Sequence, residues 1–201
     1  MERGQSKGAL VATEQMTSFI RMDQGTTEEF QIIIDRANSH LHAHLVDNVF
    51  DMLRSMRGDT LGYRIDRYDH SLQTATRALR EDARADMIVA ALLHDVGDVL
   101  APANHSELAA AILEPYLDAE STWVVRHHGV FQGYHYWDKL GLDKNTRDRY
   151  RESPYFDAAS HFCAAWDQVA FDPDYDTLPL EAFEPIVREV FSRPATGFRA
   201  D

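Results

Sequence analysis

The apolar stretch at residues 87–93 ends in an adjacent histidine and aspartate, His94 and Asp95. An apolar run bounded by polar residues is typical of a buried segment, so both side chains are expected inside the protein. Buried charged groups are usually paired with opposite charges or bound to a metal ion. Because imidazole nitrogen and carboxylate oxygen both ligate metals, the pair predicts a buried metal site.

Further residues of the same two types lie in or beside segments with helical periodicity: His70, His105, His128 and Asp167. Taken one at a time, such residues are more often satisfied core histidines or helix-capping carboxylates. Together with His94 and Asp95 they form a set of nitrogen and oxygen ligands without a thiolate. Such a set suits iron, manganese and other borderline or hard divalent ions, and an aspartate within it can bridge two of them.

The hydrophobic periodicity predicts an all-α fold. A helix is expected to begin near Thr27, where Glu28 and Glu29 precede a run of isoleucines. Further helices are predicted at 69–80, 85–94, 105–117, 121–128, 156–169 and 180–191. Most prolines fall near these boundaries, but Pro185 lies inside the last segment and is expected to bend or restart it. Cys163, the single cysteine, is expected in the core.

Length and charge narrow the classes of function. The 201 residues suit one domain, predicted at 28–201, preceded by an N-terminal arm at 1–27 whose role is open. A net charge of −13 argues against a nucleic acid or an anionic membrane as the main partner. The chain shows no apolar stretch of membrane-spanning length and no secretory signal, so a soluble, cytoplasmic protein is expected. The oligomeric state stays open.

The ligand order H…HD…H…H…D resembles the HD-domain superfamily. Across most of residues 50–190 the chain is similar to the mixed-valent diiron oxygenases that cleave organophosphonates and, more distantly, to myo-inositol oxygenase. The likeness rests on the sequences H-S-L-Q from His70, A-A-L-L-H-D-V-G-D ending at Asp98, H-S-E from His105 and A-W-D ending at Asp167. The string V-R-H-H resembles a stretch of myo-inositol oxygenase that places the ligand at His128 and leaves His127 in a supporting position behind it.

The resemblance implies a helical bundle that presents the ligands from inward-facing helices. It implies a bridging Asp95, with His70, His94 and Asp167 on one ion and His105 and His128 on the other. The cofactor would be a mixed-valent Fe(II)/Fe(III) pair, with manganese or magnesium as the alternative. The reaction would use dioxygen to oxidise or cleave a small polar substrate, for example an organophosphonate like 1-hydroxy-2-(trimethyl)aminoethylphosphonate.

The expected substrate-binding residues are Tyr63, Asp98, Gln132 and His135. This chain departs from the resembled oxygenases at several of them. A lysine that grips phosphonate corresponds here to Gln132, and Asp98 stands where the relatives carry lysine or histidine. Aromatic residues are concentrated between 131 and 166: Phe131, Tyr134, Tyr136, Trp137 and Trp166. If three of these rings faced the metals, they would favour a cationic or zwitterionic substrate.

A metal-dependent phosphohydrolase is the alternative function. In that class two metal ions activate water and clamp a phosphoryl oxygen, and further cations face the phosphate. Candidate cations are Arg64, Arg67, Arg126, Lys139 and Lys144. A catalytically silent binding module would be expected to have lost ligands, and none of the set is missing.

Overall fold

The computed structural model describes residues 16–196, including the side chains of those residues other than 41 and 42. Two compact units are distinguished, one ending at His44 and the other beginning at Leu45. The predicted boundary between an arm and a domain at residues 27 and 28 stays a prediction, and residues 1–15 of that arm lie outside the described residues.

The first unit contains a 3₁₀ turn, Met22–Gln24, and the start of helix α1, Thr27–Arg54. Thr26 caps this helix: its hydroxyl accepts from the Glu29 amide at 3.3 Å, and the Glu29 carboxylate accepts from the Thr26 amide at 3.0 Å. The Ser18 amide also donates to Glu29. These bonds to the backbone amides of Ser18 and Thr26 lower the pKa of Glu29 to about 2. This reciprocal cap explains why α1 begins where the sequence predicted.

The second unit is built from the end of α1 and further helices. These are α2, Arg67–Arg80; α3, Ala85–Leu93; α4, His105–Leu113; α5, Ala119–Gly133; α6, Phe156–His161; and α7, Glu184–Phe191. A π-helical turn, Phe162–Asp167, continues directly from α6. Short 3₁₀ segments lie at Trp137–Leu140, Lys144–Tyr150 and Leu180–Ala182. Residues 16–196 contain no β-strand, so the predicted all-α class is confirmed.

Helix α3 lies at the centre of this unit. Every residue from Asp86 to Leu93 is buried, and the helix packs against α2, α5 and α7. An apolar helix covered on several sides cannot turn an amphipathic stripe to solvent, which explains why residues 87–93 are uniformly apolar. His94 and Asp95, directly after α3, are therefore carried into the interior.

Several predicted helix ends were wrong. Helix α4 ends at Leu113 rather than 117, and α5 runs from Ala119 to Gly133, beyond the predicted 121–128. Pro185 lies in the first turn of α7, where its missing amide hydrogen costs nothing, and so it begins a helix separated from the Leu180–Ala182 turn. Asp118 caps α5 by accepting from the Ser121 amide at 2.8 Å, which places the start earlier than the apolar pattern indicated.

Among residues 16–196, no helix combines the length and the apolar character that crossing a membrane requires.

Candidate metal centre

The predicted ligands converge at one place between α2, α3, α4, α5 and the π-helical turn. His70, His94, Asp95, His128 and Asp167 are each at most 3% exposed, and the side chain of His105 is 22% exposed. The first five come from four separate elements, so their convergence is a tertiary arrangement. Their assignment as metal ligands stays a prediction.

One group of ligand atoms lies deep in the unit. The Nε2 atom of His70 lies 3.3 Å from the Nε2 atom of His94 and 3.3 Å from Oδ1 of Asp167. The separation between His94 Nε2 and Asp167 Oδ1 is 3.8 Å. Three ligand atoms at these separations could hold one metal ion.

A second group lies beside the first. The Nε2 atoms of His105 and His128 are 3.2 Å apart. Oδ1 of Asp95 lies 3.3 Å from the His105 nitrogen and 3.2 Å from the His128 nitrogen. Asp95 also joins this group to the first, because its Oδ2 lies 3.4 Å from His70 Nε2 and 3.2 Å from His94 Nε2.

Backbone carbonyl groups orient the imidazole rings. The Nδ1 atoms of His70, His94 and His128 lie 2.9, 2.9 and 2.7 Å from the carbonyl oxygens of residues 170, 91 and 125. His105 has a longer contact of 3.3 Å from Nδ1 to the carbonyl oxygen of residue 102. Each carbonyl oxygen accepts from Nδ1–H, so in the neutral tautomer Nε2 keeps its lone pair toward the cluster. This is the orientation that metal ligation requires.

The charges of the cluster depend on one another. Burial alone would lower the pKa of His70, but hydrogen bonds with Asp167 and Asp95 outweigh it and raise that pKa to about 9. Burial alone would raise the pKa of Asp95, yet nearby His94 and Arg67 hold it well below its usual range. The pKa of Asp167 is also lowered, against the effect of its burial, chiefly by its hydrogen bond with His70. Both carboxylates are therefore anionic at neutral pH.

A cavity of about 440 Å³ opens onto the second group of ligands. Its wall includes Asp95, His105, His128 and Asp167. The remaining lining residues are Tyr63, Arg67, Gly129, Gln132, His135, Tyr136, Lys139, Gln168 and Phe171. A small molecule in this cavity would therefore touch the second group and also Asp167 of the first group, whereas His70 and His94 lie outside the lining.

Three of the predicted substrate-binding residues, Tyr63, Gln132 and His135, line the cavity. Asp98 is not among the lining residues. Its Oδ2 instead accepts from Arg67 Nε at 3.1 Å, and its Oδ1 lies 3.7 Å from His105 Nδ1. Asp98 thus contacts Arg67 and lies near His105 without lining the cavity.

His127 contacts a different set of residues from the one expected. Its Nδ1 lies 2.8 Å from the carbonyl oxygen of Trp123, its ring stacks on that indole at 4.1 Å between centroids, and Tyr150 meets it edge-on at 4.7 Å. Adjacent residues on a helix point about 100° apart. His128 therefore faces the cluster while His127 packs among aromatic rings.

Fewer than three of the five aromatic rings named from the sequence line the cavity, so the condition for a cationic or zwitterionic substrate is not met. Of the rings named from the sequence only Tyr136 lines the cavity, together with Tyr63 and Phe171. Phe171 stacks on the His70 ring at 4.4 Å and on Tyr63 at 5.0 Å between centroids. Phe171 follows the π-helical turn, and no pattern in the sequence indicated its position.

Arg67, named from the sequence only as a candidate phosphate-facing cation, instead contacts two aspartates at the site. It precedes His70 by three residues, one helical turn, so both side chains share a face of α2. It donates to Oδ2 of Asp95 as well as to Asp98. Burial alone would lower the pKa of Arg67, but Asp95 and Asp98 raise it. The i,i+3 spacing was the available signal.

Gly97 allows α4 to approach the turn after Asp95. A Cβ at this position would lie 2.9 Å from the backbone oxygen of His105 and 3.1 Å from Leu108 Cβ. Gly97→Ala should therefore push α4 away and lower the free energy of unfolding by about 1–3 kcal/mol. Urea unfolding measures this. Val99→Ala, at an exposed side chain in the same turn, should change it by less than about 0.5 kcal/mol. Equal stability of the two variants would contradict the close approach.

Comparison with known families adds an independent finding. Residues 67–165 match the family model described as HD domain, and no protein of curated function matches the chain. The matched residues extend from the start of α2 into the π-helical turn and include five of the clustered side chains, His70, His94, Asp95, His105 and His128. HD domains are typically metal-dependent enzymes that bind divalent ions. Residues 67–165 therefore form a domain of the HD-domain superfamily.

Proposed function

We propose that this protein is an oxygenase that holds two iron ions and uses dioxygen to oxidise a small polar substrate. The observation that carries the proposal is the position of Asp95. Its two carboxylate oxygens face different histidine pairs, His70 with His94 and His105 with His128, at 3.2–3.4 Å. A carboxylate so placed suits a bridge between two ions.

The donor set fits iron. It combines neutral imidazole with carboxylate and no thiolate, a mixture that suits iron and manganese. The backbone carbonyls behind the rings hold each Nε2 toward the ion it would bind. A mixed-valent iron pair would supply a Lewis acid for a substrate oxygen and an electron for dioxygen.

The protein's own residues would bind the substrate and position it beside the metal ions. The cavity admits a small molecule against His105, His128 and the joining carboxylate. Phe171 covers the ring of His70 and is itself covered by Tyr63, which keeps water from that side of the deeper ligand group. The substrate would thus be held against the second ligand group, while His70 and His94 of the deeper group stay outside the cavity lining.

The cations of the cavity favour an oxygenase over a phosphohydrolase. A phosphoryl group needs positive partners besides the metals, and the lining contains Arg67 and Lys139. Arg67 already bridges Asp95 and Asp98. Arg126 is likewise engaged, with Glu107 and Glu114. Lys139 is exposed, so it offers a phosphate only a solvated charge.

A metal-dependent phosphohydrolase remains the second candidate. Arg67 and Lys139 both line the cavity and would favour it if Arg67 released Asp95 to a metal ion and turned toward substrate. Manganese or magnesium would then replace iron, and the metals would activate water.

Metal analysis combined with electron paramagnetic resonance separates the two functions. Protein produced with iron and partly reduced by ascorbate should contain two iron ions and show the signal of a coupled mixed-valent pair. His128→Gln should abolish that signal, whereas His127→Gln should keep it because His127 packs on Trp123. Protein that takes up manganese, magnesium or zinc, gives no such signal and hydrolyses p-nitrophenyl phosphate would contradict the oxygenase.

A further inference from the structure

Two buried polar atoms in side chains of the cavity wall have no hydrogen-bond partner in the structure of residues 16–196. They are Oε1 of Gln132 and Nε2 of His135. A buried polar atom without a partner destabilises the fold, so native proteins rarely leave one without water or ligand. Two such atoms on neighbouring residues of one cavity wall suggest a place for a polar group.

Asp167 determines which atom of the Gln132 amide is left over. The amide Nε2 donates to Asp167 Oδ1 at 2.9 Å. Because an ionised carboxylate can only accept hydrogen bonds, the amide nitrogen must face Asp167 and Oε1 must face elsewhere. Gln132 therefore offers an acceptor, and it cannot reverse its amide without losing the bond to Asp167.

His135 supplies the complementary group. Its backbone amide donates to the carbonyl oxygen of Gln132 at 3.0 Å, which holds the two residues beside each other at the end of α5. Burial lowers the pKa of His135, and Arg147 lowers it further against the opposing effect of Asp167. A neutral imidazole carries one N–H donor and one acceptor. With the N–H on Nε2, the buried atom of His135 is a donor, whereas the buried atom of Gln132, three residues earlier on the same wall, is an acceptor.

We propose that Gln132 and His135 together determine substrate specificity by binding a hydroxyl group of the substrate. A hydroxyl can donate to Gln132 Oε1 and accept from His135 Nε2–H at the same time. A phosphonate or carboxylate oxygen carries only lone pairs when ionised, so Gln132 Oε1 would repel it. The inference rests on the proposed function, since the metals must hold the other end of the substrate.

Matched small acids test this subsite. Each would place its carboxylate on the metal ions of manganese-loaded protein and present a different group to the wall. The probes are 3-hydroxypropanoate, its isostere butanoate, in which a methyl replaces the hydroxyl, and 3-phosphonopropanoate. Isothermal titration calorimetry should find that 3-hydroxypropanoate binds about 10-fold tighter than the other two.

Variants assign the preference to the two residues. Gln132→Met and His135→Phe keep the approximate volume but remove the hydrogen-bonding groups, so each should reduce the preference for hydroxyl over methyl to about 2-fold or less. His135→Phe leaves the bond between Gln132 and Asp167 intact and covers the case in which Gln132→Met fails to fold. Gln31→Met makes the same change outside the cavity lining and should keep the full preference.

The outcomes separate this inference from the proposed function. Equal binding of 3-hydroxypropanoate and butanoate, or no binding of either, would overturn the hydroxyl subsite, as would a preference that both variants retain. Such a result would leave the mixed-valent iron signal untouched. Conversely, protein that binds the hydroxy acid selectively but never forms that signal would keep the subsite and remove the oxygenase.

Discussion

Asp95→Asn should retain at most one metal ion per chain, and its affinity for that ion should fall by more than about 100-fold. An amide has a single carbonyl oxygen and no negative charge, so it cannot serve both histidine pairs as the two Asp95 oxygens do. The substitution is nearly isosteric, which keeps the loss of packing small. Elemental analysis after dialysis, with protein concentration from amino-acid analysis, measures the metal content.

Asp98→Asn is the matched control for this variant. It removes a neighbouring carboxylate that contacts Arg67 at 3.1 Å, and it leaves every Nε2 atom of the cluster with its partners. We expect this protein to keep two ions. Two ions retained by Asp95→Asn would exclude Asp95 as the bridge, whereas loss of metal from both variants to the same extent would assign the effect to the altered charge around Arg67.

Protein freed of metal by chelation should lose stability as the pH rises from about 6.5 to about 9. The pKa of His70 is 6.5 in the unfolded chain and about 9 in the fold, so between these values the folded state binds the additional proton. The stabilising contribution of His70 is complete below pH 6.5 and is lost as the pH passes 9. In this interval the free energy of unfolding should fall by at most about 1.4 kcal/mol per pH unit.

Urea unfolding of the chelated protein at several pH values between 6 and 10 measures this contribution. His70→Gln should flatten the profile in that interval. His161→Gln, at a half-exposed imidazole paired with Glu81 at 3.1 Å, should leave the profile as it is in the wild type. Stability that rises with pH in this interval would mean that His70 is neutral in the fold and that Asp167 and Asp95 do not hold its proton.

The metal ions are expected to reverse this dependence, because a histidine must lose its proton before it can bind a metal through that nitrogen. The same carboxylates that raise the pKa of His70 would then serve as ligands themselves.

Local patterns were enough to predict the helices and the residues of the cluster. The uniformly apolar run before His94 indicated a helix covered on several sides, and α3 is buried throughout. The chemistry of imidazole and carboxylate indicated which side chains could act together. Hydrophobic periodicity and ligand type are properties of short segments, so they can be recognised before the segments are packed.

Helix ends and the orientation of neighbours were harder to predict. The choice of His128 over His127 as the residue facing the cluster was made from a resemblance, and it is the packing of His127 on Trp123 that explains it physically. The start of α5 depends on a cap by Asp118. The position of Asp167 depends on a π-helical turn, in which the Gln168 amide donates a hydrogen bond to the carbonyl oxygen of Cys163.

By itself the sequence determined the all-α class, the burial of the segment before His94 and the histidines and aspartates that could serve as nitrogen and oxygen ligands, because each follows from the residues of a short stretch. Only the tertiary structure decided that Arg67 holds Asp95 and Asp98, that Phe171 covers His70, and that Gln132 presents its oxygen rather than its nitrogen. These contacts join groups that lie far apart in the chain and meet only when the helices pack. For Gln132, the bond to Asp167 uses the amide nitrogen and leaves the oxygen as the remaining hydrogen-bonding atom.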